Sequence, residues 1–111
     1  LHVQRLRTAD EQPIFEENMC LPYVENKELA RCDLQGNSLY ELLDELYGRK
    51  PVQNQKVLVE AMGASSERAG CLQVPVSEPL LYITTYALDQ DDKPVYIGRQ
   101  YFIGSRYMLD L

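Results

Sequence analysis

Apolar and polar residues alternate along residues 1–8, LHVQRLRT, with Leu1, Val3 and the stems of Arg5 and Arg7 on one side and His2, Gln4 and Leu6 on the other. A period of two predicts a strand. The polar run ADEQP at 9–13 predicts a turn, and IFEENMCLP at 14–22 predicts the returning strand of an antiparallel hairpin with a longer loop. Residues 22–37 are mixed and predict a loop with a short helical turn. At Leu39 the period changes, because Leu39, Leu42, Leu43 and Leu46 recur at i, i+3, i+4 and i+7, the stripe of an amphipathic helix. Asn37 or Ser38 can cap it, Glu41 stands three residues after Ser38 as a capping box requires, and Gly48 can end it.

Residues 50–63 predict a strand around QKVLVEAM, ASSERAGCL predicts a short helix capped by Ser65 or Ser66, and VPVSEP predicts a turn-rich connector. LLYITTYAL at 80–88 is the strongest strand signal and faces PVYIGRQYFI at 94–103 across the acidic DQDDK turn; RYMLDL closes the chain as a strand-like run. Two long hairpins, one good helix and one short one predict an α+β fold without parallel strand–helix–strand units. The hairpins share a grammar: strand, acidic turn, proline (Pro13, Pro94), aliphatic residue (Ile14, Val95), longer outgoing strand. A repeat in so short a chain suggests a duplicated architecture, although acidic turns followed by proline are also common hairpin chemistry.

Composition narrows the functional classes. The chain has 111 residues, about one domain, with 45 % hydrophobic and 25 % charged residues. A net charge of −6 argues against this segment gripping nucleic acid itself, since phosphate binding needs a dense Lys/Arg surface. No apolar run approaches the roughly 20 residues of a membrane span, so no membrane partner is expected and a cytoplasmic location is. Cys20, Cys32 and Cys71 are odd in number and widely spaced, and His2 is the sole histidine, so neither a zinc site nor a disulfide framework is expected. The three cysteines are expected to be buried and reduced. One histidine at the second position also leaves no Ser–His–Asp or Cys–His system, and there is no Gly-rich phosphate loop. The first residues, LHVQRLRTADEQ, carry no initiator methionine and no signal-peptide pattern, so a single domain cut short at its N-terminus is expected.

Several pieces in order then resemble one family. They are the Arg-x-Arg strand, the turn–proline hairpin whose outgoing strand carries glutamate and ends in Leu-Pro, NSLYELL, ERAGCLQVPVSEPLLYITTY and KPVYIGRQYFIGSRY. Together they resemble the UTRA domain, the effector-binding domain of the HutC subfamily of GntR-type bacterial transcription regulators. The resemblance implies a chorismate-lyase-like duplicated antiparallel sheet with helices, and a homodimer without cofactor or catalysis. It also implies a small-molecule effector in the sheet pocket, with operator DNA bound through a winged helix-turn-helix domain that is absent here.

Candidate ligand contacts combine residue chemistry with that resemblance. Arg5 and Arg7 point to one strand face, where two guanidiniums repel unless an anion sits between them or both are solvated. Relatives that bind sugar phosphates place arginines there, which implies an anionic effector such as a sugar phosphate or carboxylate. Glu17 is expected opposite Arg7, either as an effector contact or as a cross-strand ion pair; Glu16 should face the other way. Ser38 and Tyr40 open the helix, whose N-terminus is an anion site; matching residues in sugar-phosphate-binding relatives touch phosphate, while Ser38 is also an ordinary N-cap and Tyr40 ordinary packing.

The last long strand departs from the family. Tyr96 stands where relatives often carry glutamate, Phe102 replaces an aromatic with a hydroxyl, and Ser105-Arg106-Tyr107 replaces Asp-Arg-Tyr. Tyr96 and Phe102 are therefore expected to make one pocket side more aromatic and less acidic, suited to stacking on a sugar face or an apolar moiety. Arg99 is either a sheet-surface or a dimer-interface residue. Two alternatives to a sensor remain: a chorismate-lyase-like enzyme using Arg5, Arg7 and Glu17, and a non-catalytic α+β interaction module.

Overall fold

The computed structural model describes residues 1–110. Its elements run β1 (His2–Ala9), β2 (Gln12–Cys20), α1 (Leu39–Tyr47), β3 (Gln53–Gly63), α2 (Ser66–Leu72), β4 (Pro79–Leu88) and β5 (Pro94–Ile103). Short 3-10 turns occupy Val24–Asn26, Leu29–Arg31 and Gly104–Arg106. The last of these corrects the expected terminal strand: after Ile103 the chain makes one turn and then no regular structure to Asp110. Leu111, the last residue of the expected strand, lies outside the described residues.

The five strands form one antiparallel sheet in the order β1-β2-β5-β4-β3. The return strands of the two hairpins, β2 and β5, pair with each other at the centre. The repeated hairpins thus sit side by side as a rotated pair, as a duplicated unit would.

The first turn is tighter than its polar run suggests. Only Asp10 and Glu11 separate the strands, and both have positive φ, 51° and 64°. This is the left-handed pair of a two-residue hairpin turn, whose twist matches the flanking strands. Pro13 lies inside β2, beyond the stretch of β2 that pairs with β5, and adjoins a bulge at Ile14, which falls between the pairs Arg7–Phe15 and Thr8–Pro13. The shorter loop moves the register: Arg5 pairs with Glu17 and Arg7 with Phe15, which corrects the expected Arg7–Glu17 opposition by one same-face step.

Two helices cover different parts of the sheet. Leu39 and Leu43 of α1 are buried with Val3, Met19, Leu21, Leu29, Ala87, Val95 and Tyr96. Burying a leucine such as Leu43 stabilises by about 2 kcal/mol relative to exposure. Leu46, expected on the same stripe, is exposed. Tyr47 does the packing at that end instead, with its hydroxyl accepting from Leu29 N–H at 3.1 Å and donating to Glu28 at 3.0 Å. Gly48 stops the helix in the left-handed conformation, φ 65°, and its N–H donates to the Asp44 carbonyl at 2.8 Å. The other cluster joins Ala64, Ala69 and Leu72 around α2 to Leu80, Tyr101 and Ile103.

The cysteines are free, but they are not buried as expected: Cys20 is exposed and Cys32 and Cys71 are half-buried. Cys20 is the last residue of β2 and Cys32 follows a 3-10 turn, while Cys71 lies on the one-sided helix α2. No helix among the described residues is long and apolar enough to cross a membrane.

Candidate ligand-binding site

The antiparallel register sends Val3, Arg5 and Arg7 of β1, and Phe15, Glu17 and Met19 of β2, to the sheet face on which α1 packs. Glu16 goes to the opposite face, as its alternation requires, and meets Arg68 of α2 at 3.3 Å. Glu17 is buried and holds both arginines: Arg5 Nη2 donates to its Oε1 at 3.2 Å and Arg7 Nε to its Oε2 at 3.4 Å. Two guanidiniums on one carboxylate leave a net positive charge. Arg5 is buried, its Nη2 also lies 3.7 Å from Met19 Sδ, and its Nε has no partner. Arg7 reaches outward, with 44 % of its side chain exposed.

The segment before α1 forms the opposite wall. Asp33 Oδ1 accepts from the N–H groups of Gln35 and Gly36 at 3.1 and 3.2 Å, an Asx turn that folds residues 33–36 back on themselves. Gln35 Nε2 then donates to the Gln4 carbonyl at 3.1 Å and ties this turn to β1. Ser38 is the N-cap, and its Oγ accepts from Glu41 N–H at 3.4 Å. The N–H groups of Leu39 and Tyr40, in the first turn, have no carbonyl inside the helix to donate to, and the helix dipole adds partial positive charge there.

Between these walls lies a cavity of about 400 Å³ lined by Arg5, Arg7, Glu17 and the run from Gln35 to Tyr40. Five of the seven residues singled out in the sequence therefore border one space. The other two lie elsewhere. Tyr96 is buried beneath α1, and its hydroxyl meets that of Tyr40 at 2.5 Å. Burial, then the Tyr40 hydrogen bond, then the charge of Glu17 push the Tyr96 phenol above the usual tyrosine range. Phe102 is stacked on Phe15 at 4.4 Å, with the Tyr107 ring edge-on at 4.0 Å, and does not line the cavity. Arg99 is half-buried on the α2 face, where Nη1 lies 3.8 Å from Cys20 Sγ.

Sequence reasoning missed Gln35, Gly36 and Asn37. The signal was present: an aspartate followed two and three residues later by Gln and Gly, immediately before a helix cap, is Asx-turn chemistry. Among the described residues no group of three or more His, Cys, Asp or Glu is arranged to hold a metal.

Comparison with known proteins adds to this geometry. The UTRA domain profile matches residues 1–108. The "Probable fructoselysine utilization operon transcriptional repressor" of Escherichia coli K12 is 26 % identical over 110 residues, covering 99 % of this chain and 45 % of the repressor. The chain thus spans about half the length of the curated relatives it matches. The C-terminal domain of Yurk from Bacillus subtilis superposes with a TM-score of 0.91 at 21 % identity, over 98 % of this chain and 74 % of that one. The effector domain of PhnF from Mycobacterium smegmatis gives 0.90 at 19 % identity, over 98 % and 66 %. These superpositions show the fold, and the profile match spans nearly every residue that builds the sheet, the helices and the cavity: the chain belongs to the UTRA domain family.

Proposed function

We propose that this chain is the effector-sensing and dimerisation domain of a cytoplasmic bacterial transcription regulator, and that its effector is a small anion carrying hydroxyl groups, such as a sugar phosphate or sugar carboxylate. Operator DNA is bound by a winged helix-turn-helix domain outside this chain. The observation that carries the anion is the surplus positive charge of two guanidiniums, Arg5 and Arg7, on the single carboxylate of Glu17, beside a cavity that all three and the start of α1 border. A surplus positive charge at the wall of a partly enclosed cavity favours an anion there. Arg7 adds a donor around the same space, and the start of α1, with N–H groups that have no acceptor inside the helix, adds partial positive charge. Glu17 then positions both guanidiniums and can accept from a ligand hydroxyl. The name of the 26 % identical repressor, which refers to fructoselysine utilization, fits a hydroxyl-rich ligand.

The test is a thermal-shift series with phosphorylated sugars and their unphosphorylated counterparts. A ligand that binds only the folded chain raises the melting temperature with its concentration. The expected result is a rise with phosphorylated sugars alone, which in Arg7→Ala needs about tenfold more ligand; the Arg7 side chain is 44 % exposed. Equal response to neutral and phosphorylated sugars would overturn the anion assignment.

A further inference from the structure

Tyr96 does not line the cavity, yet it touches a residue that does. It stands on β5 opposite Ala87 of β4, on the face that α1 covers, and only 8 % of it is exposed. Tyr40, in the first turn of α1, borders the cavity and is half exposed. The two rings are 6.2 Å apart and tilted by 30°, and their hydroxyl oxygens are 2.5 Å apart. Leu39 and Leu43 fix α1 to the sheet by apolar packing. Among the described residues the Tyr40–Tyr96 bond is the one side-chain hydrogen bond between α1 and a strand.

The strand is built to hold the Tyr96 ring in that place. Side chains at 96 and 98 share one face of β5, and residue 98 is glycine. A Cβ at Gly98 would stand 3.2 Å from Tyr96 Cε1 and 3.6 Å from its Cδ1, the first inside ordinary carbon contact distance. The ring therefore lies along the strand over Gly98, which is opposite Met19 of β2, and so leans toward the level of Glu17.

The direction of the hydrogen bond follows from burial. A phenol has one proton to donate. A buried O–H needs an acceptor, and among the described residues the Tyr40 oxygen is the one acceptor within hydrogen-bond distance of the Tyr96 hydroxyl. Tyr96 therefore donates and Tyr40 accepts. The proton of Tyr40 is left for another partner. The bond that Tyr40 receives also polarises its own O–H and makes it a stronger donor.

We infer that Tyr96 is a positioning residue of the ligand site: it holds the Tyr40 phenol at the cavity wall and, by donating to its oxygen, turns the Tyr40 O–H toward an acceptor oxygen of the bound anion. The inference deepens the proposed function and rests on its anionic effector. Tyr96 thereby takes part in recognition through Tyr40, not by the stacking on a sugar face expected from sequence.

The experiment is a titration with inorganic phosphate, the group common to phosphorylated sugars, followed by nuclear magnetic resonance at the amides of Leu39 and Tyr40. The wild type is compared with Tyr96→Phe, Tyr40→Phe and the double variant. Each change keeps the ring and removes one oxygen, and circular dichroism checks that the fold is kept. Each single variant is expected to raise the phosphate dissociation constant about fivefold, the contribution of one neutral hydrogen bond. Because Tyr96 acts through the Tyr40 oxygen, Tyr96→Phe is expected to add nothing in the Tyr40→Phe background. Gly98→Ala leaves both hydroxyls in place but presses on the Tyr96 ring, and is expected to follow the same pattern: weaker binding alone, no further change in Tyr40→Phe. A Tyr96→Phe effect that is absent, or equal in both backgrounds, would make Tyr96 a packing residue and overturn the inference while leaving the anion site in place. A wild type in which phosphate does not bind at the start of α1 would overturn the anionic effector, and this inference with it.

Discussion

Arg5 and Glu17 are direct cross-strand partners, joined at 3.2 Å, and both are buried at the floor of the cavity. A buried ion pair is weak evidence for stability, because desolvation offsets most of its attraction. Its consequence is sharper when one member is lost. Arg5→Met leaves Glu17 buried with only the longer contact to Arg7, and should destabilise the chain by about 2–3 kcal/mol in urea unfolding. The paired change Arg5→Met/Glu17→Leu removes both charges and should recover a large part of that loss. A double variant no more stable than Arg5→Met would show that Arg5 matters by packing alone.

Arg7 tests the opposite balance. Its side chain is 44 % exposed and its contact to Glu17 is 3.4 Å, so Arg7→Ala should change stability by less than about 0.5 kcal/mol. It lines the cavity, so under the proposed function a charge-assisted hydrogen bond lost there should weaken sugar-phosphate binding about tenfold, or ~1.4 kcal/mol. Isothermal titration reads the affinity, and unfolding curves read the stability. Equal affinity in both proteins would remove Arg7 from the site.

Ser38 has two roles that separate by charge. Ser38→Ala removes the N-cap and should cost about 1 kcal/mol, because Glu41 N–H loses its acceptor. Ser38→Asp keeps a good cap and favours the helix dipole, so stability should hold. It also puts a carboxylate beside the cavity, so under the proposed function sugar-phosphate binding should fall sharply while neutral-sugar binding changes little. Unchanged anion affinity in Ser38→Asp would place the ligand away from the start of α1.

How much of this was legible beforehand follows from the range of each interaction. Helix α1 was readable because leucine spacing and a cap are local, and the strands because alternation is local. The register of the first hairpin was not, because it depends on two acidic residues adopting positive φ, which composition does not reveal. That shift of one same-face step decides which arginine is buried against Glu17. The cavity's arginines, glutamate and helix cap were named from pattern and family likeness, but its far wall depends on the Gln35–Gln4 tie between residues 31 apart. Phe102 is expected at the pocket only because family likeness puts an aromatic at its position. Its stacking on Phe15 follows from the β2–β5 pairing, a long-range contact no local pattern encodes.

Tyr96 supplies a pH signature of the floor under α1. Its phenol is pushed above the ordinary value of 10.0 chiefly by burial, then by the hydrogen bond with Tyr40 and the nearby charge of Glu17. In the unfolded chain Tyr96 loses its proton near pH 10, whereas in the folded chain it keeps it. Above about pH 10 the unfolded state therefore binds fewer protons, and stability falls as pH rises. The stabilisation is complete below pH 10 and is lost progressively above it. Tyr96→Phe removes this titration, so the plot of unfolding free energy against pH should become shallower between about pH 10 and 12. The difference in slope should approach ~1.4 kcal/mol per pH unit. Ultraviolet titration of the folded chain should correspondingly show one late-ionising tyrosine fewer in the variant. Parallel slopes in the two proteins would mean that Tyr96 ionises alike in the folded and unfolded chains, and that the Tyr40–Tyr96 contact is open to water.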